Sequence, residues 1–140
     1  MNILLIEDDY LLGRGMARLL EKLGEHRVRL THRAADMFKH CESGVTDLVL
    51  MDINLPGTTW QGKEVSGVEL SRLLKVEAKT AHLPIVLLTG HREADRTQLL
   101  RESLADDLCF KPITDYDAFL SLLSSVKEAN HFQLMNASAS

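Results

Sequence analysis

Leu48-Val49-Leu50-Met51-Asp52-Ile53-Asn54-Leu55-Pro56-Gly57 is the stretch on which the fold is decided. Its four leading apolar residues do not alternate with polar ones. That suits a strand buried on both faces, as in a parallel sheet covered by helices on either side. The run ends in a carboxylate, and Pro56-Gly57 marks a turn just beyond it. A charged group therefore stands where a buried strand comes to the surface.

Upstream, residues 3–6 form a second apolar run of the same kind, ending in Glu7-Asp8-Asp9. Leu12, Met16, Leu19, Leu20 and Leu23 then recur at three- and four-residue spacing. The spacing predicts a helix with one apolar face, stopped by Gly24. Residues 26–30 alternate polar and apolar, as an edge strand would. Residues 34–41 read as a second helix with Met37, Phe38 and Cys41 inward, ended by Ser43-Gly44. Downstream of the deciding stretch, Ser66 and Glu69 form a capping box that opens a third helix. It carries Leu70, Leu73, Leu74 and Ala78. Pro84 opens a strand at 85–88 that ends at Thr89-Gly90. A fourth helix follows at 93–104, then a short strand at 108–110, broken by Lys111-Pro112. Thr114 is expected to cap a last helix with Phe119, Leu120, Leu122, Leu123 and Val126.

Five βα units in series predict a single α/β domain: a doubly wound, five-stranded parallel sheet over residues 1–128. Residues 129–140 turn polar and small, and are expected to be a frayed tail or the start of a linker. At 140 residues and 45% hydrophobic, the chain can build such a core without disulfides. Cys41 and Cys109 show no metal-ligand spacing and read as small buried hydrophobes in a reducing compartment. The net charge is −4 and the basic residues form no run, which argues against a nucleic-acid surface. The start lacks the pattern of a signal peptide, and no apolar stretch approaches the roughly 20 residues that span a bilayer. The expectation is a soluble cytoplasmic protein with no membrane or direct nucleic-acid partner.

In open parallel sheets, ligands bind outside the carboxyl ends of the strands, where the strand order reverses. Glu7-Asp8-Asp9, Asp52, Thr89 and Lys111 all fall at such ends. Singly, each has an ordinary reading. Asp8 or Asp9 caps a helix, Asp52 starts a loop, Thr89 suits a strand and Lys111 is a solvated cation. Jointly, four of five strand ends bring a useful group to one rim. With the first and third strands adjacent, Glu7, Asp8 and Asp52 bring three negative charges together. That is costly unless cations compensate. Lys111 and a Mg²⁺ would do so, since Mg²⁺ takes about six oxygen ligands and keeps several as water. Asp52 then reads as a nucleophile for in-line phosphoryl transfer, forming an acyl phosphate.

Over residues 2–128 the chain resembles response-regulator receiver domains. The resemblance is carried by ILLIEDD at 3–9, LVLMDINLPG at 48–57, PIVLLT at 84–89, and ADD at 105–107 followed by FKP at 110–112. It implies the flavodoxin-like strand order 2-1-3-4-5. It makes Asp52 the phosphoacceptor. Glu7, Asp8 and Asp52 would hold the Mg²⁺, together with the backbone carbonyl of Asn54. Lys111 would pair with the phosphoryl oxygens and the Thr89 hydroxyl would bond to them. Asp9 matches a variable position and keeps only its capping role. The implied donor is a sensor histidine kinase or histidine phosphotransfer protein. The domain would catalyse its own phosphorylation and slow dephosphorylation. The implied reader is a downstream protein or a missing output domain, addressed through the fourth helix, fifth strand and fifth helix.

Other readings fit less well. A dehalogenase-type phosphohydrolase needs an acid where Asn54 stands, and an FMN carrier's phosphate loop would be repelled by Glu7-Asp8-Asp9. A receiver-like docking module that works without phosphorylation is the alternative with some support. Three features depart from the receiver pattern. Leu108 occupies the aromatic switch position, three residues before Lys111. Leu104 stands where glycine is common. The long 58–66 loop carries the only tryptophan, Trp60, expected either at the site or a docking surface, or packed on the third helix.

Overall fold

The computed structural model describes residues 1–139, with side chains through residue 136. Five parallel strands form the central sheet: β1 (Asn2–Ile6), β2 (Arg27–Thr31), β3 (Leu48–Asp52), β6 (Ile85–Thr89) and β7 (Asp107–Phe110). A two-stranded hairpin, β4 (Thr59–Trp60) and β5 (Lys63–Glu64), interrupts the series after β3. The sheet order is β2-β1-β3-β6-β7. Counted without the hairpin, that is the flavodoxin-like 2-1-3-4-5. β1 lies against β3 with Ile6 opposite Met51, and β3 against β6 with Asp52 opposite Leu88. The carboxyl ends of β1, β3 and β6 thus meet at one rim.

Alternation along the strands sends side chains to two separate cores. Leu4, Ile6, Val49, Met51, Ile85 and Leu87 face α2 (Ala34–Glu42) and α3 (Gly67–Val76), packing on Met37, Cys41, Leu70 and Leu74. Ile3, Leu5, Leu48, Leu50, Val86 and Leu88 face Leu20 of α1 (Tyr10–Gly24) and Phe119 and Leu123 of α5 (Tyr116–Ala139). Every residue of β3 and β6 is buried, as the unbroken apolar runs require. Burial pushes the Cys41 thiol up to about 12 and that of Cys109 up to about 11, so both stay protonated.

Several boundaries differ from the sequence reading, each for a local reason. α1 turns Gly13, Ala17 and Leu20 inward and leaves Leu12, Leu19 and Leu23 exposed. The small residues let this helix approach the sheet closely: a Cβ on Gly13 would stand 2.7 Å from Leu30. Gly24 does not stop the helix by its backbone. Glu25 takes the left-handed conformation there (φ 55), while Gly24 is closely packed: a Cβ would stand 2.6 Å from the His26 ring and 2.7 Å from Leu120, and those side chains would have to shift. α3 ends before Ala78 and leaves Leu73 partly exposed. α4 runs only over Arg96–Ser103, because Asp95 caps it by accepting the Gln98 N–H. Leu104 then adopts the left-handed conformation (φ 59) that glycine favours. Asp115 rather than Thr114 accepts from the first turn of α5. α5 continues to Ala139, through the stretch read as a polar tail, since no Gly or Pro interrupts it. Asn130, buried on this extension, donates to the His82 carbonyl at 2.7 Å. Among the described residues, no helix is long and apolar enough to cross a membrane.

Candidate functional site

Glu7 follows β1, Asp52 ends β3, Thr89 ends β6 and Lys111 follows β7. The topology brings their chemistry to one place. The Lys111 ammonium lies 2.8 Å from Asp52 Oδ2 and 3.3 Å from Glu7 Oε2. Asp52 is 3% exposed and Glu7 6%. Backbone donors hold the other carboxylate oxygens: the Asn54 N–H donates to Asp52 Oδ1 at 3.1 Å, and the Asp9 N–H to Glu7 Oε1 at 3.2 Å. Thr89 and Lys111 are locked together by the Lys111 N–H donating to the Thr89 carbonyl at 2.7 Å. The buried Thr89 hydroxyl accepts the His91 N–H at 3.1 Å, which leaves its own proton available to donate.

Burial raises the Glu7 carboxyl to about 7, with the hydrogen bond and charge of Asp52 adding to the shift. Lys111 and the Asp9 N–H pull the other way and do not offset it. Burial alone would lower the Lys111 ammonium. The hydrogen bonds and charges of Asp52 and Glu7 outweigh it and hold the lysine above its ordinary value. Once Glu7 ionises, above about pH 7, one cation faces two buried carboxylates.

The structure gathers Glu7, Asp52 and Lys111 and sets Thr89 beside them through the backbone. Asp8 stands exposed on the rim. Asp9 caps α1 by accepting the Leu12 N–H at 3.2 Å, as expected for it. The Asn54 side chain is exposed and its N–H steadies Asp52. Among the described residues, no three acidic, His or Cys side chains group closely enough to hold a metal by themselves. A Mg²⁺ does not need three: one or two carboxylates plus carbonyl and water oxygens serve it. Glu7 and Asp52 offer hard oxygen donors whose protein hydrogen bonds leave lone pairs unused. The donor set therefore fits the ion.

Two features beside the site escaped the sequence reading. Gly67, the first residue of α3, lies directly on the backbone of Asp52. A Cβ there would fall 1.9 Å from the Asp52 carbonyl oxygen, and the Gly67 N–H donates to the Ile53 carbonyl at 2.9 Å. Its only signal was a glycine just inside the Ser66 cap. The other feature is an apolar cleft of about 480 Å³ between α1 and the segment after β7. Leu11, Leu12, Met16, Leu19, Ile113 and Tyr116 line it, with Glu7 and Lys111 among its walls. The helical spacing places Leu12, Met16 and Leu19 on the apolar face of the first helix and is silent on Leu11. At the departures from the pattern, Leu108 is buried in the core, its carbonyl accepting from Arg96 at 2.8 Å. Trp60 is partly buried against the first core, to which α3 contributes Leu70 and Leu74. Its ring stacks on Phe38 of α2, with centroids 4.4 Å apart.

Compared with known proteins, residues 3–123 match the model of the response regulator receiver domain, and the chain belongs to that family, the receivers of two-component signalling. It is 37% identical over 135 residues to the swarming motility regulation protein RssB of Serratia marcescens, covering 93% of this chain and 53% of that one. It is 32% identical over 125 residues to the CAI-1 autoinducer sensor kinase/phosphatase CqsS of Vibrio cholerae, covering 89% of this chain and 17% of that one. The chain thus spans about half the length of the first relative and a smaller part of the second. The receiver domain of NtrX from Brucella abortus superposes with a TM-score of 0.74 at 24% identity, over 90% of this chain and 98% of that one, a likeness of fold.

Proposed function

We propose that this domain accepts a phosphoryl group on Asp52 in a Mg²⁺-dependent reaction and signals through altered protein contacts. The carrying observation is the Lys111–Asp52–Glu7 cluster, buried at the strand ends. An Asp52 carboxylate oxygen attacks phosphorus in line. The donor's bond to phosphorus breaks as an acyl phosphate forms. Lys111 neutralises the equatorial oxygens, and the Thr89 hydroxyl donates to one of them. Mg²⁺, when bound, would be held by Glu7 and Asp52, with Asp8 and the Asn54 carbonyl as the remaining protein donors, and supplies positive charge to the phosphoryl oxygens.

The donor is a phosphohistidine protein, either a sensor histidine kinase or a phosphotransfer protein. The exposed apolar side of α1, beside the cleft, suits its docking. The reader is a separate protein or a further domain. The test is intact mass after incubation with acetyl phosphate and Mg²⁺. One added phosphoryl group, lost in Asp52→Asn and without metal, is expected. Absence of the adduct with both acetyl phosphate and a cognate kinase would leave the phosphorylation-independent docking module. The buried Leu108 at the switch position is the observation on its side.

A further inference from the structure

Residues 58–65 stand between the Asp52 loop and α3, and their packing ties them to a third element. β4 and β5 pair around Gln61 and Gly62, both at positive φ (53 and 80). That is the two-residue turn that suits a twisted hairpin. The hairpin lies against the body of the domain. Trp60 stacks on Phe38, and both pack against the first core. Thr58 is buried. Its hydroxyl donates to the His32 carbonyl at 3.3 Å, and its N–H to the Leu55 carbonyl at 3.2 Å. Residues 53–57 are therefore held at both ends: by Gly67 on the Ile53 carbonyl, and by Thr58 on the loop before α2. That same α2 loop begins at Thr31, whose carbonyl accepts the Glu7 N–H at 3.1 Å. The hairpin, the α2 loop and the loops bearing Glu7 and Asn54 make one connected unit.

We propose that the Trp60–Phe38 stack is a clamp that positions the 53–57 loop, and thereby sets cation affinity at Asp52 and the lifetime of a phosphoryl group there. The function assigned to the clamp rests on the reading of Asp52 as phosphoacceptor. Trp60 and Phe38 are positioning residues that act through the loop. A loop already ordered presents the Asn54 carbonyl at no further entropic cost. A loosened loop spends part of its time in forms that cannot bind, and apparent affinity falls by that fraction.

The test uses the full chain with Phe38→Ala, Trp60→Phe and Leu123→Ala. The last removes core packing on the opposite face of the sheet. Two quantities are read: hydrogen exchange of the amides of residues 53, 54, 55 and 57 in metal-free protein, and Mg²⁺ affinity by calorimetry. Phe38→Ala should speed the exchange by about tenfold or more and weaken Mg²⁺ binding by about threefold or more. Trp60→Phe, which keeps a ring in the stack, should stay near wild type. Leu123→Ala should lose stability without moving either readout. If Phe38→Ala does not fold, Phe38→Leu takes its place, with smaller shifts in the same direction. Unchanged exchange and affinity in the Phe38 variant, or equal changes in Leu123→Ala, would overturn the clamp. If the wild-type protein takes neither Mg²⁺ nor a phosphoryl group, the phosphoacceptor reading fails, while the exchange comparison still decides whether the stack orders the loop.

Discussion

Above neutral pH the carboxylates of Glu7 and Asp52 share a single ammonium, and burial denies them the water that would make up the difference. The consequence for stability follows from linkage. Glu7 holds its proton up to about 7 in the folded chain but only to 4.5 when unfolded. The stability it contributes is fully present below about 4.5 and is lost as pH rises through about 7. In chelator, the urea midpoint should therefore fall between about pH 5 and about pH 8, and Glu7→Gln should flatten that fall. Saturating Mg²⁺ should flatten it too, because a cation replaces the missing charge. An equal fall in Glu7→Gln would place the effect elsewhere. Gly67 matters for a steric reason, since any side chain there meets the peptide that follows Asp52. Gly67→Ala should cost about 2 kcal/mol or more in urea unfolding and slow phosphorylation by acetyl phosphate. Wild-type stability in that variant would mean that the loop yields freely.

Two helices end on residues poorly suited to the backbone they adopt. Glu25 and Leu104 both sit in the left-handed region, with φ of 55 and 59. An L-residue pays about 1–2 kcal/mol there, while glycine pays about 0.5–1 kcal/mol in unfolded-chain entropy. Glu25→Gly and Leu104→Gly should each raise stability by up to about 1 kcal/mol, read from urea midpoints at constant slope. A loss instead would show that the side chains make contacts outweighing the strain. The same elements show what sequence patterns can and cannot say. The Ser66–Glu69 capping box was readable because all its parts lie within one turn. The left-handed caps were not, because Glu and Leu carry no signal for them. The face of α1 was misread for a different reason. The leucines at 12, 19 and 23 fit a helical stripe as well as Gly13, Ala17 and Leu20 do. The choice was made by how closely the backbone approaches Leu30, a tertiary fact. The hairpin escaped because two-residue strands are too short to show a period.

Across the molecule, the sheet and its charged rim were legible because unbroken apolar runs mark buried strands and one topological rule collects their ends. The exposed apolar face of α1 was not legible, because an exposed leucine and a buried one read alike in a helix. Leu11 is 81% exposed and Leu12 61%, beside a cleft that shares Glu7 and Lys111 with the acidic site. Covering such side chains is worth about 1.5–3 kcal/mol each. The proposed protein donor would find in this face an apolar anchor beside the acidic site, whereas acetyl phosphate needs no anchor at all. Replacing Leu11 and Leu12 together by Asp should therefore slow transfer from a phosphohistidine protein by about tenfold or more, while phosphorylation by acetyl phosphate stays unchanged. Stability should change little, because both side chains already face water. Equal losses with both donors would mean that the substitutions disturb the acidic site itself. Unchanged transfer from the protein donor would mean that it docks on another face.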